Sequence, residues 1–155
     1  MPPLTNIKAV YLAAAYEHLP FLRDIAFLIE STGRYRSCSR WLTGSHEPEN
    51  ITDDHRAKWA EEDFQDIVEC DFFVMFNDGR PTPGRNTELG YAIALKKSCL
   101  IIGHRSSIFH YHERCTGLQD AKALLNYFGV VGKLVREKPL DLSECRGMAG
   151  PEVVR

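Results

Sequence analysis

The sequence lacks the patterns that would place it at a membrane or on a nucleic acid. No apolar stretch approaches the length of a membrane-spanning helix, and the first residues, MPPLTNIK, show no apolar segment behind a basic start. The formal net charge is only −2, and like charges never form a run of five, which argues against binding to a nucleic-acid polymer. These absences predict a cytoplasmic protein that binds neither membranes nor nucleic-acid polymers.

The sequence also lacks the usual signatures of metal and cofactor sites. The five cysteines are odd in number, widely spaced and without a C-x-x-C pair, so they form neither a disulfide framework nor a zinc pattern. His110 and His112 form an H-x-H pair, but no third metal ligand follows at a defined spacing. No G-x-G-x-x-G motif and no P-loop occur. We therefore expect neither a metal ion nor a cofactor.

Short apolar segments alternate with segments of helical periodicity, within a length of 155 residues that suits one domain. The predicted strands are 7–15, 34–42, 71–77, 98–103 and 129–136, and the predicted helices are 18–33, 52–69, 87–97 and 117–128. This order predicts an α/β fold, a single-domain Rossmann-like (flavodoxin-like) open parallel sheet of about five strands with helices on both faces. The domain is expected to span 1–136, followed by a polar tail at 137–155.

In such a sheet the functional site lies at the carboxyl ends of the strands. The segment after the third predicted strand, DGRPTPGR at 78–85, contains two prolines and two glycines that restrict its shape. It leads to Asn86 and Glu88 at a helix start, where backbone N–H groups can receive an anion or a hydroxyl. Glu88 is therefore either a reactive carboxylate or a residue that complements the helix dipole, and Asn86 either binds substrate or caps the helix.

An acidic cluster precedes the same strand, and most of it is expected to be a solvated helix face. Asp63 and Asp66 are three residues apart and share one side of that helix, and Asp63 neighbours its apolar positions. An acid there could protonate a leaving group while a second carboxylate attacks carbon, as in retaining glycosyl transfer. Tyr11 and Trp41 are either core aromatics or members of the same site.

Four stretches together resemble the nucleoside 2-deoxyribosyltransferase family, including its small phage and bacterial members. They are VYLAAAY at 10–16, SRWLTGSHE at 39–47, WAEEDFQDIVECDFFVMF at 59–76 and GRNTELGYAIALKK at 84–97. The last is the most specific, because it matches the family's Gly-x-x-x-Glu-Leu-Gly-x-Ala pattern.

The resemblance implies an enzyme that cleaves the N-glycosidic bond of a small nucleoside or nucleotide. By the resemblance, Glu88 is the nucleophile that holds the sugar as an ester, Asp63 protonates the departing base, and Tyr11 orients Glu88. The resemblance also implies a homo-oligomer with shared active sites. The loop 106–112 either reaches a neighbouring subunit or is an ordinary surface loop. The expected substrate-binding residues are Ala13, Trp41, Asp66, Asp78, Thr82, Gly84, Arg85, Asn86, Phe109 and His110.

Two alternatives remain within this resemblance, transfer of the sugar to a base or to water. Thr82 stands where classical transferases carry an aspartate, and a hydroxyl there is similar to the related nucleoside 5′-monophosphate hydrolases. Those hydrolases carry a Gly/Arg-rich loop after the first strand, whereas this chain has AAAYEHLP; Arg85 could supply the missing positive charge. A more remote alternative is a non-catalytic nucleotide-binding module.

Overall fold

Strands and helices alternate along the chain, as a computed structural model of residues 6–44, 46 and 49–130 shows. The strands are β1 Lys8–Ala13, β2 Tyr35–Ser37, β3 Phe72–Asn77, β4 Ser98–Gly103 and β5 Cys115–Leu118. The helices are α1 Leu19–Glu30, α2 Asp53–Glu69, α3 Pro83–Ala94 and α4 Ala121–Tyr127. Short 3-10 helices lie at Tyr16–His18, Arg40–Thr43 and Ile108–Tyr111.

The five strands form one parallel sheet in the order β2-β1-β3-β4-β5. The connections through α1 and α2 run in opposite directions along the sheet, so right-handed crossovers place these two helices on opposite faces. Helix α4 packs against α1, and α3 packs against α2. The predicted α/β fold with a five-stranded parallel sheet is confirmed.

The three central strands are buried along almost their whole length, because helices cover both faces of the sheet. Helix α1 contributes Leu22, Ile25, Leu28 and Ile29, each at most 1% exposed, to this core. The core therefore fixes the sheet rigidly beneath the loops at its carboxyl edge.

The second strand is shorter than the predicted 34–42, for a reason that also shapes the site. Ser39 and Trp41 take over the hydrogen bonds that a longer strand would have made to β1. The Leu12 amide donates to Ser39 Oγ at 2.7 Å, and Trp41 Nε1 donates to the Leu12 carbonyl at 2.8 Å. The chain can therefore turn into a 3-10 helix while β1 keeps its backbone partners.

The position of the fifth strand was predicted wrongly. It is Cys115–Leu118, which the sequence placed partly in a loop and partly in a helix. Gly129 and Val130, the start of the predicted strand 129–136, are not in a strand, and 131–136 lie outside the described residues. The predicted tail 137–155 lies outside them as well.

Two helix starts also differ from the prediction. Helix α3 begins at Pro83 rather than at residue 87, because proline is well tolerated in the first turn of a helix. Helix α4 begins at Ala121 rather than at residue 117, after Asp120 accepts a capping hydrogen bond from the Ala123 amide at 2.9 Å. Among the described residues, no helix combines the length and apolar character needed to cross a membrane.

Candidate active site

A cleft of about 140 Å³ opens at the carboxyl end of β1. It brings together two acidic side chains from different helices, Asp63 of α2 and Glu88 of α3. Its lining consists of Ala13, Ala14, Tyr16, Trp41, His46, Asp63 and Glu88. The cleft therefore contains both of the carboxyl groups for which the sequence predicts a chemical role.

Glu88 is held by a tyrosine from the middle of the sheet. Tyr11 is fully buried, its ring stacks on Phe73 with centroids 5.6 Å apart, and its hydroxyl donates to Glu88 Oε1 at 2.9 Å. Burial and the Glu88 carboxylate raise the Tyr11 pKa well above 10.0. The phenol therefore stays protonated and acts as a fixed donor to Glu88.

The Glu88 carboxyl is partly screened from water and lies near a second acid. Burial and, secondly, the charge of Asp63 raise its pKa to about 8, while the hydrogen bond from Tyr11 and the positive charge of Arg85 act in the opposite direction. The Tyr11 bond specifically favours the ionised carboxylate. The site thus contains a carboxylate that is poorly solvated and oriented at one oxygen by Tyr11.

Asp63 is also an acid with an incomplete set of partners. Its Oδ1 is buried and has no hydrogen-bond partner among the described residues. Burial and, next, the negative charge of Asp66 raise its pKa to about 7. Asp63 can therefore carry a proton near neutral pH, as a general acid must.

Aromatic side chains form a wall of the cleft. The indole of Trp41 is fixed by its bond to Leu12, and its ring lies 6.2 Å from that of Tyr16 at an interplanar angle of 42°. Ala13 and Ala14 are small and leave space above the end of β1. The structure thus places Ala13 and Trp41 in the cleft, and it adds Tyr16.

His46 also lines the cleft, although it was not among the predicted site residues. Its side chain is 10% exposed and stacks on Trp59 with ring centroids 5.0 Å apart, and its Nε2 lies 3.5 Å from a carboxylate oxygen of Glu62. Burial lowers the His46 pKa. His46 lies in the stretch 39–47 that carries the family resemblance, but the loop 43–51 has no periodicity that singles out one residue.

Asp66 lies outside the cleft, in contrast to its neighbour Asp63. It accepts hydrogen bonds from the Arg40 amide at 2.8 Å and from Arg40 Nε at 2.7 Å. It borders a separate open groove of about 520 Å³ between β2 and α2. The expectation that Asp66 binds substrate is not supported, because its carboxylate anchors the Arg40 turn instead.

Asp78 is likewise engaged by other protein groups. It lies 3.1 Å from His18 Nε2 and 3.2 Å from Arg85 Nη2, and Arg80 binds it as well. The Arg80 guanidinium also contacts Glu17. It therefore lies between the carboxylates of Glu17 and Asp78, which form a cluster with His18. Burial raises the Asp78 pKa, but the hydrogen bond to His18 and the positive charge of Arg85 help to lower it, and the net shift is downward. This network ties the loop after β1 to the loop after β3.

Arg85 is a structural residue of that second loop rather than a free positive charge. It is only 4% exposed and donates to the Phe76 carbonyl at 2.6 Å, to the Arg80 carbonyl at 2.7 Å, and to the side chains of Asp78 and Thr82. Its guanidinium therefore holds the loop against the end of β3. Arg85 also lines a cavity near the start of α3, and its role in substrate binding stays a prediction.

A second cavity of about 290 Å³ lies on the other side of the start of α3. Thr82 and Asn86 line it, and Gly84 is exposed and lines neither cavity. Thr82, not Asn86, occupies the N-cap position, and its side chain makes no capping hydrogen bond. The complete lining is Met75, Asn77, Gly79, Arg80, Pro81, Thr82, Arg85, Asn86, Ser106 and Ser107.

Phe109 and His110, predicted to line a neighbouring subunit's pocket, differ sharply in exposure. Phe109 is 63% exposed, whereas His110 is 1% exposed. His110 Nδ1 accepts from the Ser106 amide at 3.1 Å, and thus stabilises its own loop. Phe109 is available to a neighbouring molecule, and His110 is not available while this loop keeps its structure.

Comparison with known proteins by sequence found no match, either among models of protein families or among curated proteins. Comparison by structure found a CMP N-glycosidase of Clostridium botulinum, with 20% sequence identity and a TM-score of 0.57, over 80% of this chain and 100% of that one. It also found a 2-deoxyribosyltransferase of Bacillus psychrosaccharolyticus, with 19% identity and a TM-score of 0.63, over 77% of this chain and 91% of that one. The protein therefore shares its fold with two enzymes that act on nucleosides or nucleotides.

Proposed function

We propose that this protein is an enzyme that cleaves the N-glycosidic bond of a nucleoside or nucleotide through a covalent glycosyl ester on Glu88. The observation that carries the proposal is the cleft itself, where Glu88, bonded to Tyr11, and Asp63, with an unpaired buried oxygen, line one small space. A binding module with the same fold would not need two partly desolvated acids there. The shared fold with a glycosidase and a transferase is consistent with the same chemistry.

Burial raises the pKa of both acids, to about 8 for Glu88 and about 7 for Asp63, so they titrate as a coupled pair near neutral pH. The reactive form is the one in which the pair holds a single proton on Asp63, with Glu88 ionised and held by the Tyr11 hydroxyl. The Glu88 carboxylate attacks the anomeric carbon, the bond from that carbon to the base nitrogen breaks, and its electron pair passes to the base. Asp63 transfers its proton to the base as the base leaves. The positive charge that develops on the sugar in the transition state is stabilised by the Glu88 carboxylate.

The second step restores both acids. An acceptor, either a second base or water, loses a proton to Asp63 and attacks the anomeric carbon. The ester bond to Glu88 breaks, and the carboxylate returns to its hydrogen bond with Tyr11. The nature of the acceptor decides whether the protein acts as a deoxyribosyltransferase or as a hydrolase.

A hydrolase of nucleoside 5′-monophosphates is the second candidate, and the second cavity favours it. The hydroxyls of Thr82, Ser106 and Ser107 and the amide of Asn86 line that cavity beside the start of α3. Hydroxyls and helix N-terminal amides are suitable donors to a phosphate. The Arg85 guanidinium is engaged in the loop, and that of Arg80 is paired with Asp78 and Glu17. We therefore propose that this subsite binds phosphate mainly through neutral donors.

We further propose that the working form is a homo-oligomer. Ile108, Phe109 and Tyr111 are 81%, 63% and 63% exposed and lie on one short 3-10 helix. Three large exposed apolar side chains in such a short segment favour burial against another surface.

The experiment that tests the proposed function is a chromatographic assay of the purified protein. A panel of ribo- and deoxyribonucleosides and their 5′-monophosphates would be incubated with and without a free acceptor base. A new nucleoside that forms only with acceptor identifies a transferase, and free base plus sugar or sugar phosphate identifies a hydrolase. Release of no base from any substrate would contradict the proposal.

A further inference from the structure

Asn77, the last residue of β3, is a buried polar side chain to which the proposed function assigns no role. It is 4% exposed and lines the second cavity, where the loops after β3 and β4 meet. Its Nδ2 donates to the His104 carbonyl at 2.7 Å and to Ser106 Oγ at 3.3 Å, and its Oδ1 accepts from the Gly79 amide at 3.1 Å. One side chain thus ties together the two loops that line this cavity.

These contacts define which amide atom of Asn77 is nitrogen and which is oxygen. Oδ1 meets an N–H group and Nδ2 meets a carbonyl, so a flipped amide would lose its bonds to both Gly79 and His104. The two hydrogens of Nδ2 are then both used, one by His104 and one by Ser106. Asn77 therefore has no donor left for a ligand, and it can act on a ligand only through the groups that it holds.

The contact with Asn77 gives the Ser106 hydroxyl a defined direction. The hydroxyl oxygen accepts from Asn77 Nδ2, and a hydroxyl has one hydrogen to donate. Among the described residues, no acceptor is bonded to that hydrogen. Ser106 is exposed and lines the cavity, so its hydrogen is available to a ligand there. An ionised phosphate, whose oxygens are strong acceptors, suits such a donor.

Thr82, on the other loop of the same cavity, has a similar arrangement. Its Oγ1 accepts from Nη2 of Arg85, which is also 4% exposed. The acceptor that the protein offers to the Thr82 hydroxyl is the Arg80 carbonyl, at the long distance of 3.5 Å. Two hydroxyls of the cavity are therefore each held by a buried nitrogen donor, which favours donation of their own hydrogens to a ligand.

We propose that Asn77 is a positioning residue for the 5′-phosphate of a nucleotide substrate, because it presents the Ser106 hydroxyl as a donor. The inference rests on the proposed function and on its phosphate subsite. It identifies nucleoside 5′-monophosphates, rather than nucleosides, as the preferred substrate class. Asn77 does not line the cleft that contains Glu88, so its effect is on recognition of the phosphate.

The test compares kcat/KM for a nucleoside 5′-monophosphate with kcat/KM for the matching nucleoside. The ratio of the two isolates recognition of the phosphate from general loss of activity. Asn77→Ala removes all three contacts, whereas Asn77→Asp keeps the acceptor for the Gly79 amide and removes both donors. Cys70→Ala is the control, because Cys70 is 1% exposed and precedes the same strand at its opposite end. Thermal unfolding would be measured for each variant.

We expect Asn77→Ala to lower this ratio by about 10- to 100-fold, the loss typical of a hydrogen bond to a charged group. Asn77→Asp should lower it at least as much, because a negative charge is added near the phosphate. Cys70→Ala should keep the ratio within about twofold of wild type. If Asn77→Ala does not fold, Asn77→Asp provides the same comparison.

A double-mutant cycle with Ser106→Ala identifies how Asn77 acts. If Asn77 acts through the Ser106 hydroxyl, the ratio for the double variant should lie within about threefold of that for Ser106→Ala alone. Losses that simply multiply would mean that Asn77 does not act through Ser106, and would overturn the inference.

Two further results would overturn the inference alone. They are a wild-type enzyme that cleaves the nucleoside as efficiently as its 5′-monophosphate, and a wild-type ratio in Asn77→Asp. Absence of turnover in the wild type for every substrate would instead contradict the proposed function, and the inference with it.

Discussion

Asp63 and Asp66 lie three residues apart on the same helix, and the structure gives them opposite surroundings. The Asp66 carboxylate is satisfied by the backbone and side chain of Arg40. Asp63 faces the cleft with a buried oxygen that no described residue binds, and its pKa rises to about 7. Burial of a carboxylate therefore does not by itself indicate a chemical role. A buried carboxylate oxygen without a hydrogen-bond partner among the described residues is the stronger indication.

The same contrast separates Asp78, at the end of β3, from Glu88 in the cleft. Asp78 is bound by His18, Arg80 and Arg85, and these contacts help to keep its pKa low. Glu88 accepts a hydrogen bond from Tyr11, and burial raises its pKa to about 8. Asp66 and Asp78, which bind arginine side chains, hold the loops in place. Asp63 and Glu88, which line the cleft and have raised pKa values, are the candidates for catalysis.

The largest effect is expected from Glu88→Ala. If Glu88 forms the covalent bond to the sugar, its removal should reduce kcat by at least about 10⁴-fold. Unfolding should change little, because the substitution removes a carboxyl whose charge is disfavoured by burial, which offsets the lost hydrogen bond from Tyr11. Base release followed by chromatography and unfolding followed by circular dichroism measure the two quantities. Turnover near the wild-type rate would exclude the covalent mechanism.

Asp63→Asn should have the next largest effect, because it removes the proton that the leaving base needs. We expect base release to slow by about 10²–10⁴-fold. The loss should shrink for bases that leave readily without protonation, which a series of substrates with graded leaving groups would show. An equal loss across the series would mean that Asp63 does not act as the acid.

Asp66→Asn should affect stability rather than chemistry. Loss of the charged acceptor weakens two hydrogen bonds from Arg40, so the free energy of unfolding should fall by about 1–3 kcal/mol. Urea denaturation of the variant and the wild type measures this change. A large fall in kcat with unchanged stability would contradict the proposal that Asp66 has a structural role and Asp63 a chemical one.

The pH dependence of stability provides a smaller but independent test. Folding raises the pKa of Glu88 from 4.5 to about 8 and that of Asp63 from 3.8 to about 7. A group whose pKa is raised by folding contributes stability below its unfolded pKa and loses that contribution as pH rises through its folded pKa. The double variant Asp63→Asn, Glu88→Gln should therefore gain stability relative to wild type between pH 5 and pH 9. Urea denaturation across this range measures the difference, and a constant difference would contradict the raised pKa values.

The smallest effect on stability is expected at the exposed loop. Phe109→Ser should change the free energy of unfolding by less than about 0.5 kcal/mol, since the side chain is 63% exposed. It should weaken self-association, which sedimentation velocity can measure. A wild-type protein that stays monomeric at high concentration would argue against the proposed oligomer.

Much of this fold could be predicted because its signals are local. Alternating apolar and helical segments indicated the parallel sheet, and β3 was predicted almost to the residue, as 71–77 against Phe72–Asn77. Strand β5 was missed because Cys115–Leu118 is four residues long, contains a glycine and is only partly buried. Its strand character comes from pairing with β4, a contact that the local sequence does not encode.

The site was harder to predict from the sequence than the fold was. Glu88, Asp63 and Tyr11 could be proposed from the family resemblance, but their contacts depend on three separate elements. Arg85 resembled a substrate-binding cation in the sequence, because nothing there showed that Phe76 and Arg80 carbonyls bind it. His46 lies within the stretch 39–47 that carries the resemblance, but its place in the cleft follows from packing against Trp59, which the local sequence does not show.

The most direct test of the central claim is to trap the sugar on the protein. A nucleoside with fluorine at the sugar 2-position slows the loss of the ester, because it destabilises the positively charged transition state. Intact-mass spectrometry followed by peptide mapping would locate any adduct. The proposed mechanism predicts one glycosyl group per chain, carried by Glu88 and absent from Glu88→Ala. Turnover of the natural nucleoside without an adduct on Glu88 under these conditions would contradict the covalent mechanism.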